Sequence, residues 1–280
     1  VGYDIVELAP VKWNWDGNRK ILHIDSRPAE VNKLYQPDTE VVGDISDSLL
    51  RLAFKCIPKE EPKEALKIKE MLVQEYEQWR EDVSFPVKPQ KLLYDIRRIM
   101  GPDDIVISDV GAHKMWISRH YNCYKPQTCL ISNGFASMGM AVPGAVAAKL
   151  VDPNRRVLAI AGDGGFLMNC QEMETAVRLG VSIVVLIVND GSYGLIKWKQ
   201  EDRFGFHCDV DFGNPDFAAM AESMGVKGFR LNRTEDLIPT LEEAFEAGRP
   251  AIIDCPIDYR ENTKLTSHLK EVMEKLKMGE

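Results

Sequence analysis

Residues 160–194 read IAGDGGFLMNCQEMETAVRLGVSIVVLIVNDGSYG. An apolar run stops at Gly162-Asp163-Gly164-Gly165, a helical pattern follows, and a second apolar run stops at Asn189-Asp190-Gly191. Glycines after a strand usually announce a phosphate, because the bare backbone can approach an anion closely. Here each loop carries an acid where a phosphate cradle would offer a lysine. The stretch therefore poses an electrostatic question together with a topological one.

The topology is answered first. Asp-Gly is a favoured hairpin turn, but a hairpin needs an alternating strand immediately afterwards. Asn169-x-x-Glu172 instead resembles a helix capping box, with Met173, Ala176 and Val177 continuing at helical spacing. GDGGFL has neither the G-x-G-x-x-G spacing of a dinucleotide turn nor the lysine of a P-loop, so both nucleotide readings fit poorly. Outward from this unit, apolar runs recur at 104–109 (DIVISD), 128–132 (TCLIS), 156–163, 182–190 and 250–258. Helical patterns separate them at 112–121, 137–150, 169–179, 215–224 and 235–247. Continuously apolar strands alternating with helices predict an α/β fold, a parallel sheet with helices on both faces. Ligands of such sheets sit at the carboxyl ends of strands, and three strands here end in Asp109-Val110-Gly111, Gly162-Asp163-Gly164 and Asn189-Asp190-Gly191.

Towards the N-terminus, KILHID (20–25) and EVVGD (40–44) read as short strands with a helical-looking PAEVNKLY (28–35) between them. Residues 58–82 turn charged, and Leu66, Met71, Leu72, Tyr76 and Trp79 fit an apolar stripe on one helix face. SFPVKPQ (84–90) carries two prolines and marks a boundary into the next domain.

The bulk properties narrow the function. The chain has 280 residues, 45% of them hydrophobic, enough for one large core or two unequal ones. A formal net charge of -8 offers no basic stripe for nucleic acid. No apolar run approaches the roughly 18 residues of a spanning helix, and no signal peptide pattern opens the chain, so a soluble protein without membrane binding is expected. The six cysteines form no Cys-x-x-Cys pair and no zinc-like grouping with the five histidines, so reduced thiols are expected.

A metal resolves the electrostatic question. Magnesium takes about six oxygen ligands and usually completes its shell with phosphate oxygens, so two acids and a carbonyl can hold a diphosphate through the ion. Glycines 162, 164 and 165 let the backbone come close, and the next helix N-terminus adds partial positive charge. The second acid, one helix and one strand further on, belongs to the neighbouring strand end.

GDGGF followed by VNDGSYG resembles the thiamine-diphosphate motif, in which Gly-Asp-Gly is followed, one helix and one strand later, by Asn or Asp. The resemblance runs over nearly the whole chain: GAHKMW, TCLISNGFASMGMAVPGAVAAKL, QEMETAVRLG, DFGNPDFAAMAESMG and DYRENTKL are similar to the C-terminal part of acetolactate synthases. VGYDIVE and HIDSRPAEV resemble the end of that family's central domain. The resemblance implies the thiamine-diphosphate-binding fold at 91–260, preceded by the end of a Rossmann-like central α/β domain at 1–55 and a connecting helix and linker at 56–90, and followed by a C-terminal helical tail at 261–280.

Carried over by position, Asp163 and Asp190 resemble the magnesium ligands, with the Ser192 carbonyl a third. The family commonly has Asn where Asp190 stands, and either supplies oxygen. Val110, Gly111, His113, Gly162, Gly164, Gly165, Tyr193, Gly194 and Leu195 resemble the cofactor-binding contacts, chiefly to the diphosphate. Met138 matches the bulky apolar residue that bends the cofactor into a V, and Ala136 the residue whose carbonyl accepts from the aminopyrimidine. Trp198 is offset by one residue from the family's acceptor-tuning tryptophan, so core or interface packing is its expected role.

The implied activity is a carboligase of branched-chain amino acid biosynthesis. It decarboxylates pyruvate and ligates the enamine to a second 2-oxo acid, giving acetolactate, with thiamine diphosphate as electron sink. The alternatives are another thiamine-diphosphate decarboxylase or carboligase acting on a 2-oxo acid, or a non-catalytic cofactor-binding module. In the family, the glutamate that protonates the pyrimidine comes from an N-terminal pyrimidine-binding domain, usually of a second subunit. The chain opens at Val1 in mid-pattern. The expectation is therefore a metal and diphosphate half-site, inactive towards pyruvate alone, within a homo-oligomer of the cytoplasm or an organellar stroma. The resemblance leaves room for FAD in the full-length enzyme.

Overall fold

The computed structural model describes residues 1–5, 8–57, 60 and 63–265, so most of the expected tail at 261–280 lies outside the described residues. The chain divides into two units, Val1–Ile68 and Lys69–Glu280.

In the first unit, β1 (Leu22–Asp25) pairs in parallel with β2 (Thr39–Val42), Leu22 opposite Thr39 and Asp25 opposite Val42. Helix α1 (Ile45–Lys55) follows, its N-cap Asp44 accepting the Asp47 amide at 2.8 Å. The expected helix at 28–35 is not formed. Asn32 Oδ1 accepts the amides of Leu34 and Tyr35, each at 2.8 Å, and closes a turn, a local bond that competes with helix. Helix α2 (Lys63–Glu77), the expected charged helix, carries the division between the units. Trp79 lies in the turn beyond its end.

The second unit is built on six parallel strands. Helix α3 (Pro89–Ile99) starts with proline at its first position, where the missing N–H costs no helical bond. There follow β3 (Ile105–Ser108), α4 (Ala112–His120), β4 (Cys129–Ile131), α5 (Ala141–Val151), β5 (Val157–Gly162), α6 (Asp163–Met168), α7 (Glu172–Leu179) and β6 (Val184–Asn189). After β6 come α8 (Gly194–Phe204), α9 (Phe217–Ser223), β7 (Lys227–Arg230), α10 (Leu237–Glu246) and β8 (Ala251–Pro256). The sheet order is β4-β3-β5-β6-β8-β7.

Alternation along each strand builds the core on both faces. Leu158 and Ile160 of β5, Val184, Leu186 and Val188 of β6, and Ile253 of β8 join Leu93, Ile96, Trp116, Leu237 and Leu241 from α3, α4 and α10. Val157, Ala159 and Ala161, with Val185, Ile187 and Ile252, pack against Ala141, Ala145, Met173, Ala176 and Phe217 from α5, α7 and α9. The α/β fold with helices on both faces is thus as the sequence predicts. The chain runs from β3 outward to β4 and then returns to β5, so strand order reverses between β3 and β5, and a crevice opens at their carboxyl ends.

Four local readings change. The helix expected from residue 137 starts at Ala141, because Ala136 (φ 53°) and Gly139 (φ 85°) take left-handed backbone. The helix expected from 169 starts at Glu172, since Asn169 turns its amide to the Gly139 carbonyl, 2.8 Å away, and forms no capping box. The GDGG segment is not a loop before a helix: α6 begins at Asp163 itself. Strand β7 carries no apolar run and was not legible, although Gly228 fits it tightly to α9: a Cβ there would lie 2.2 Å from the Ala218 carbonyl oxygen.

Candidate functional site

Three strand ends and the loops behind them meet around one cavity of about 240 Å³. Asp163 stands at the end of β5, 1% exposed. Its Oδ1 accepts the Gly164 amide at 2.8 Å, while Oδ2 accepts the Gly191 amide at 2.8 Å and the Asn214 side-chain amide at 2.7 Å. One carboxylate thereby ties the end of β5 to the loop after β6. The Asp190 amide points to the same carboxylate, which so gathers donors from three segments of the chain.

Asp190 follows β6. Its Oδ2 accepts the Ser192 hydroxyl at 2.6 Å. Burial pushes its carboxyl up to about 6, with the Asp163 charge adding to the effect and the Ser192 hydrogen bond opposing it. Asp163 is raised as well, chiefly by burial. Two half-desolvated acids that each disfavour the other's charge form a place prepared for a cation. Among the described residues no group of three or more His, Cys, Asp or Glu surrounds a common point. A cation held here would have to complete its shell with carbonyl, water or ligand oxygens, which is the habit of magnesium.

The loop after β6 is fastened from outside. Ser192 bridges to Asp211, the Tyr193 amide donates to the Val210 carbonyl at 2.9 Å, and the Phe212 amide donates to the Gly191 carbonyl at 2.9 Å. The Tyr193 and Phe212 rings lie against Gly164, where a Cβ would come within 2.8 Å of Tyr193 Cε1. Asn189 donates to Asp254 at 2.8 Å and accepts from Asn214 at 3.0 Å, so Asn214 links both strand ends.

From the third strand end, Val110 and Gly111 lead into α4, whose His113 is buried with Nε2 lacking any hydrogen-bond partner. Burial holds this imidazole down to about 4, against a hydrogen bond with the Asp109 backbone. A Cβ on Gly111 would sit 2.6 Å from His113 Cε1, so the absence of a side chain at 111 lets the ring lie against the backbone. With the imidazole neutral and its one N–H spent on the Asp109 backbone, Nε2 is left as an unpaired acceptor in the cavity wall, open to a ligand's donor.

Every residue proposed from sequence lines this cavity: Val110, Gly111, His113, Ala136, Met138, Gly162, Asp163, Gly164, Gly165, Asp190, Ser192, Tyr193, Gly194 and Leu195. Trp198 does not; it packs against the core cluster of α3, α4 and α10, as expected from its offset.

A family model described as "Thiamine pyrophosphate enzyme, C-terminal TPP binding domain" matches residues 109–255, just over half of the chain, from the acid after β3 to the penultimate residue of β8. The chain belongs to the thiamine pyrophosphate enzyme family. Acetolactate synthase of Bacillus subtilis (strain 168) is 36% identical over 95% of this chain and 48% of its own length. The catabolic acetolactate synthase of Raoultella terrigena is 34% identical over 98% of this chain and 50% of its own. A putative thiamine pyrophosphate-containing protein of Bacillus subtilis (strain 168) is 32% identical over 84% of this chain and 42% of its own. The chain spans about half the length of the relatives it matches.

The chain also brings residues to the cavity that sequence reasoning missed. Ala112, Ile196 and Tyr259 complete the wall. Tyr259 lies against Gly194, its ring 3.2 Å from where a Cβ would stand. It arrives from beyond β8, and only the quoted DYRENTKL resemblance hinted at it. Asn214, in the Gly-Asn-Pro turn before α9, joins the two strand ends without lining the cavity. Its signal was the same: a quoted motif without a role. Among the described residues no helix is long and apolar enough to cross a membrane.

Proposed function

We propose that Asp163, Asp190 and the Ser192 carbonyl hold Mg2+, and that the ion and the backbone of Gly111, Gly164 and Gly165 hold the diphosphate of thiamine diphosphate. The observation that carries this reading is the pair of acids on adjacent strand ends, Asp163 buried and Asp190 half-buried, lining one cavity with the glycines at 111, 164 and 165. The acids alone would repel a diphosphate; a divalent ion between them offsets the two carboxylate charges, so that the diphosphate meets the ion instead of the acids. Val110, Gly162, Tyr193, Gly194 and Leu195 shape the same wall. Met138 is assigned the apolar contact that keeps the cofactor bent, and Ala136 the carbonyl that accepts from its amine. When bound, the cofactor supplies the electron sink for loss of carbon dioxide from a 2-oxo acid. The chain's own part is to fix the cofactor's orientation and exclude water around it.

Within a longer enzyme, this half-site serves decarboxylation of pyruvate and joining of the product to a second 2-oxo acid, giving acetolactate. The names and identities of the two acetolactate synthases support that substrate class. A further thiamine-diphosphate decarboxylase or carboligase is the second reading, favoured by the relative whose description names only the cofactor. Product analysis separates them, acetolactate against free aldehyde. A pyrimidine-binding domain from a second subunit of a homo-oligomer would cover the site, whose wall residue Ile196 is half-exposed.

The test is thermal denaturation with thiamine diphosphate, with and without Mg2+. Stabilisation that needs both, and is lost in Asp163→Ala, is expected; an equal shift in the variant contradicts the ligand assignment.

A further inference from the structure

Asp109 and Asn169 line no part of the cavity, yet both grip one residue beside it, Gly139. Asp109 follows β3 and is 0% exposed. Its two carboxylate oxygens stand 2.9 and 3.0 Å from the Gly139 amide, which donates to them, and Oδ1 also accepts the Val110 amide at 2.7 Å. The amides of Met140 and Ala141 point to the same carboxylate. Helix α5 has no side-chain cap of its own at Met140. Asp109 therefore serves as its cap from the neighbouring strand, taking up amides that the helix start leaves unpaired.

The carbonyl of the same residue is held from the end of α6. Asn169 Nδ2 donates to the Gly139 carbonyl at 2.8 Å, an acceptor that only the nitrogen end of Asn169 can serve, and the Gln171 side-chain amide donates to Asn169 Oδ1 at 3.0 Å. Gly139 sits at φ 85°, and a Cβ there would come within 2.8 Å of Asn169 Nδ2. Gly165 gives the same close fit to Asp109, its added Cβ falling 3.0 Å from Oδ2. Immediately before this clamped residue come Ala136, in left-handed backbone, and Met138, both in the cavity wall.

We propose that Asp109 and Asn169 are positioning residues: by holding the N–H and the C=O of Gly139 they set the 136–139 turn, and so place Met138 and Ala136 against the ring half of the cofactor. The inference rests on the cofactor reading of this cavity. It divides the site into a metal and diphosphate half built by Asp163 and Asp190, and a ring half set by a clamp that bonds neither acid and borders the first half only where Asp109 meets Val110 and Gly165.

Two probes separate the halves on the 280-residue chain: inorganic diphosphate with Mg2+, and thiamine diphosphate with Mg2+, each titrated calorimetrically. In Asn169→Ala, affinity for thiamine diphosphate falls about tenfold, the worth of one hydrogen bond, while that for inorganic diphosphate stays within about twofold. Asn169→Asp keeps shape but sets an acceptor against the Gly139 carbonyl, so it loses at least as much as Asn169→Ala. A role in packing alone would leave Asn169→Asp like the wild type, and that result overturns the proposal, as does a parallel loss of both ligands. Amide exchange in the ligand-free chain reads the clamp independently of the cofactor. Faster exchange across 136–141 in Asp109→Asn and Asn169→Ala, with β5 and β6 unchanged, is expected; unaltered exchange there overturns it. A wild-type chain that binds neither probe would overturn the proposed function while the exchange result still decides the clamp.

Discussion

His113 and Asp190 face one cavity and are displaced in opposite directions by burial, the imidazole to about 4 and the carboxyl to about 6. Their contributions to stability have opposite signs. From its ordinary 6.5 down to about 4, His113 is protonated in the unfolded chain only, so its contribution is lost as pH falls through that window. From 3.8 up to about 6, Asp190 keeps its proton only in the folded chain, so stability falls as pH rises through that window. Asp109 and Asp163, also raised by burial, act in the sense of Asp190. In the metal-free chain, urea unfolding at pH 5 and pH 7 should therefore respond in opposite ways to two substitutions. Asp190→Asn lowers the stability at pH 5 relative to pH 7, and His113→Gln raises it, each by about 1–2 kcal/mol against the wild type. A pH dependence unchanged by either substitution would mean that neither group is buried as described. Saturating Mg2+ should shrink the Asp190 effect, because the ion takes over the role of the proton.

At the scale of elements, Gly228 offers the sharpest test of packing. Strand β7 and α9 approach so closely that an alanine must push α9 away from the sheet edge. Gly228→Ala is expected to cost about 1–3 kcal/mol in urea unfolding, as overpacking does, without altering the cavity at the far strand ends. A wild-type midpoint would contradict the close approach. The same elements explain what the sequence could convey. Central strands such as VVLIVN in β6 are buried on both faces and announce themselves as unbroken apolar runs. Edge strand β7, KGFR, is half-exposed and has no such run. The start of α5 was misplaced for a tertiary reason: the cap it uses, Asp109, lies far away in sequence, and only folding brings it to Gly139. Asn169 misled in the complementary way. Its spacing from Glu172 fits a capping box, but a carbonyl across the fold competes for its side chain and wins. The site residues were legible because they sit in turns at strand ends, where glycines and acids stand out; Tyr259 and Asn214, ordinary residues in connecting segments, carried no comparable pattern.

For the whole molecule, the cavity of about 240 Å³ falls below the roughly 300–1,000 Å³ usual for a complete small-molecule site. A half-site should bind without turning over. The purified chain with Mg2+, thiamine diphosphate and pyruvate is expected to produce neither acetolactate nor acetaldehyde; sustained formation of either would contradict the need for a second domain. The claim beneath all of this is that a divalent ion sits between Asp163 and Asp190 and carries the diphosphate. Crystals of the chain grown with Mn2+ and thiamine diphosphate test it most directly, through the anomalous signal of the ion. The account predicts one peak about 2.0–2.3 Å from a carboxylate oxygen of each acid, from the Ser192 carbonyl and from the diphosphate. A diphosphate bound in the cavity with no ion between it and these acids would contradict it.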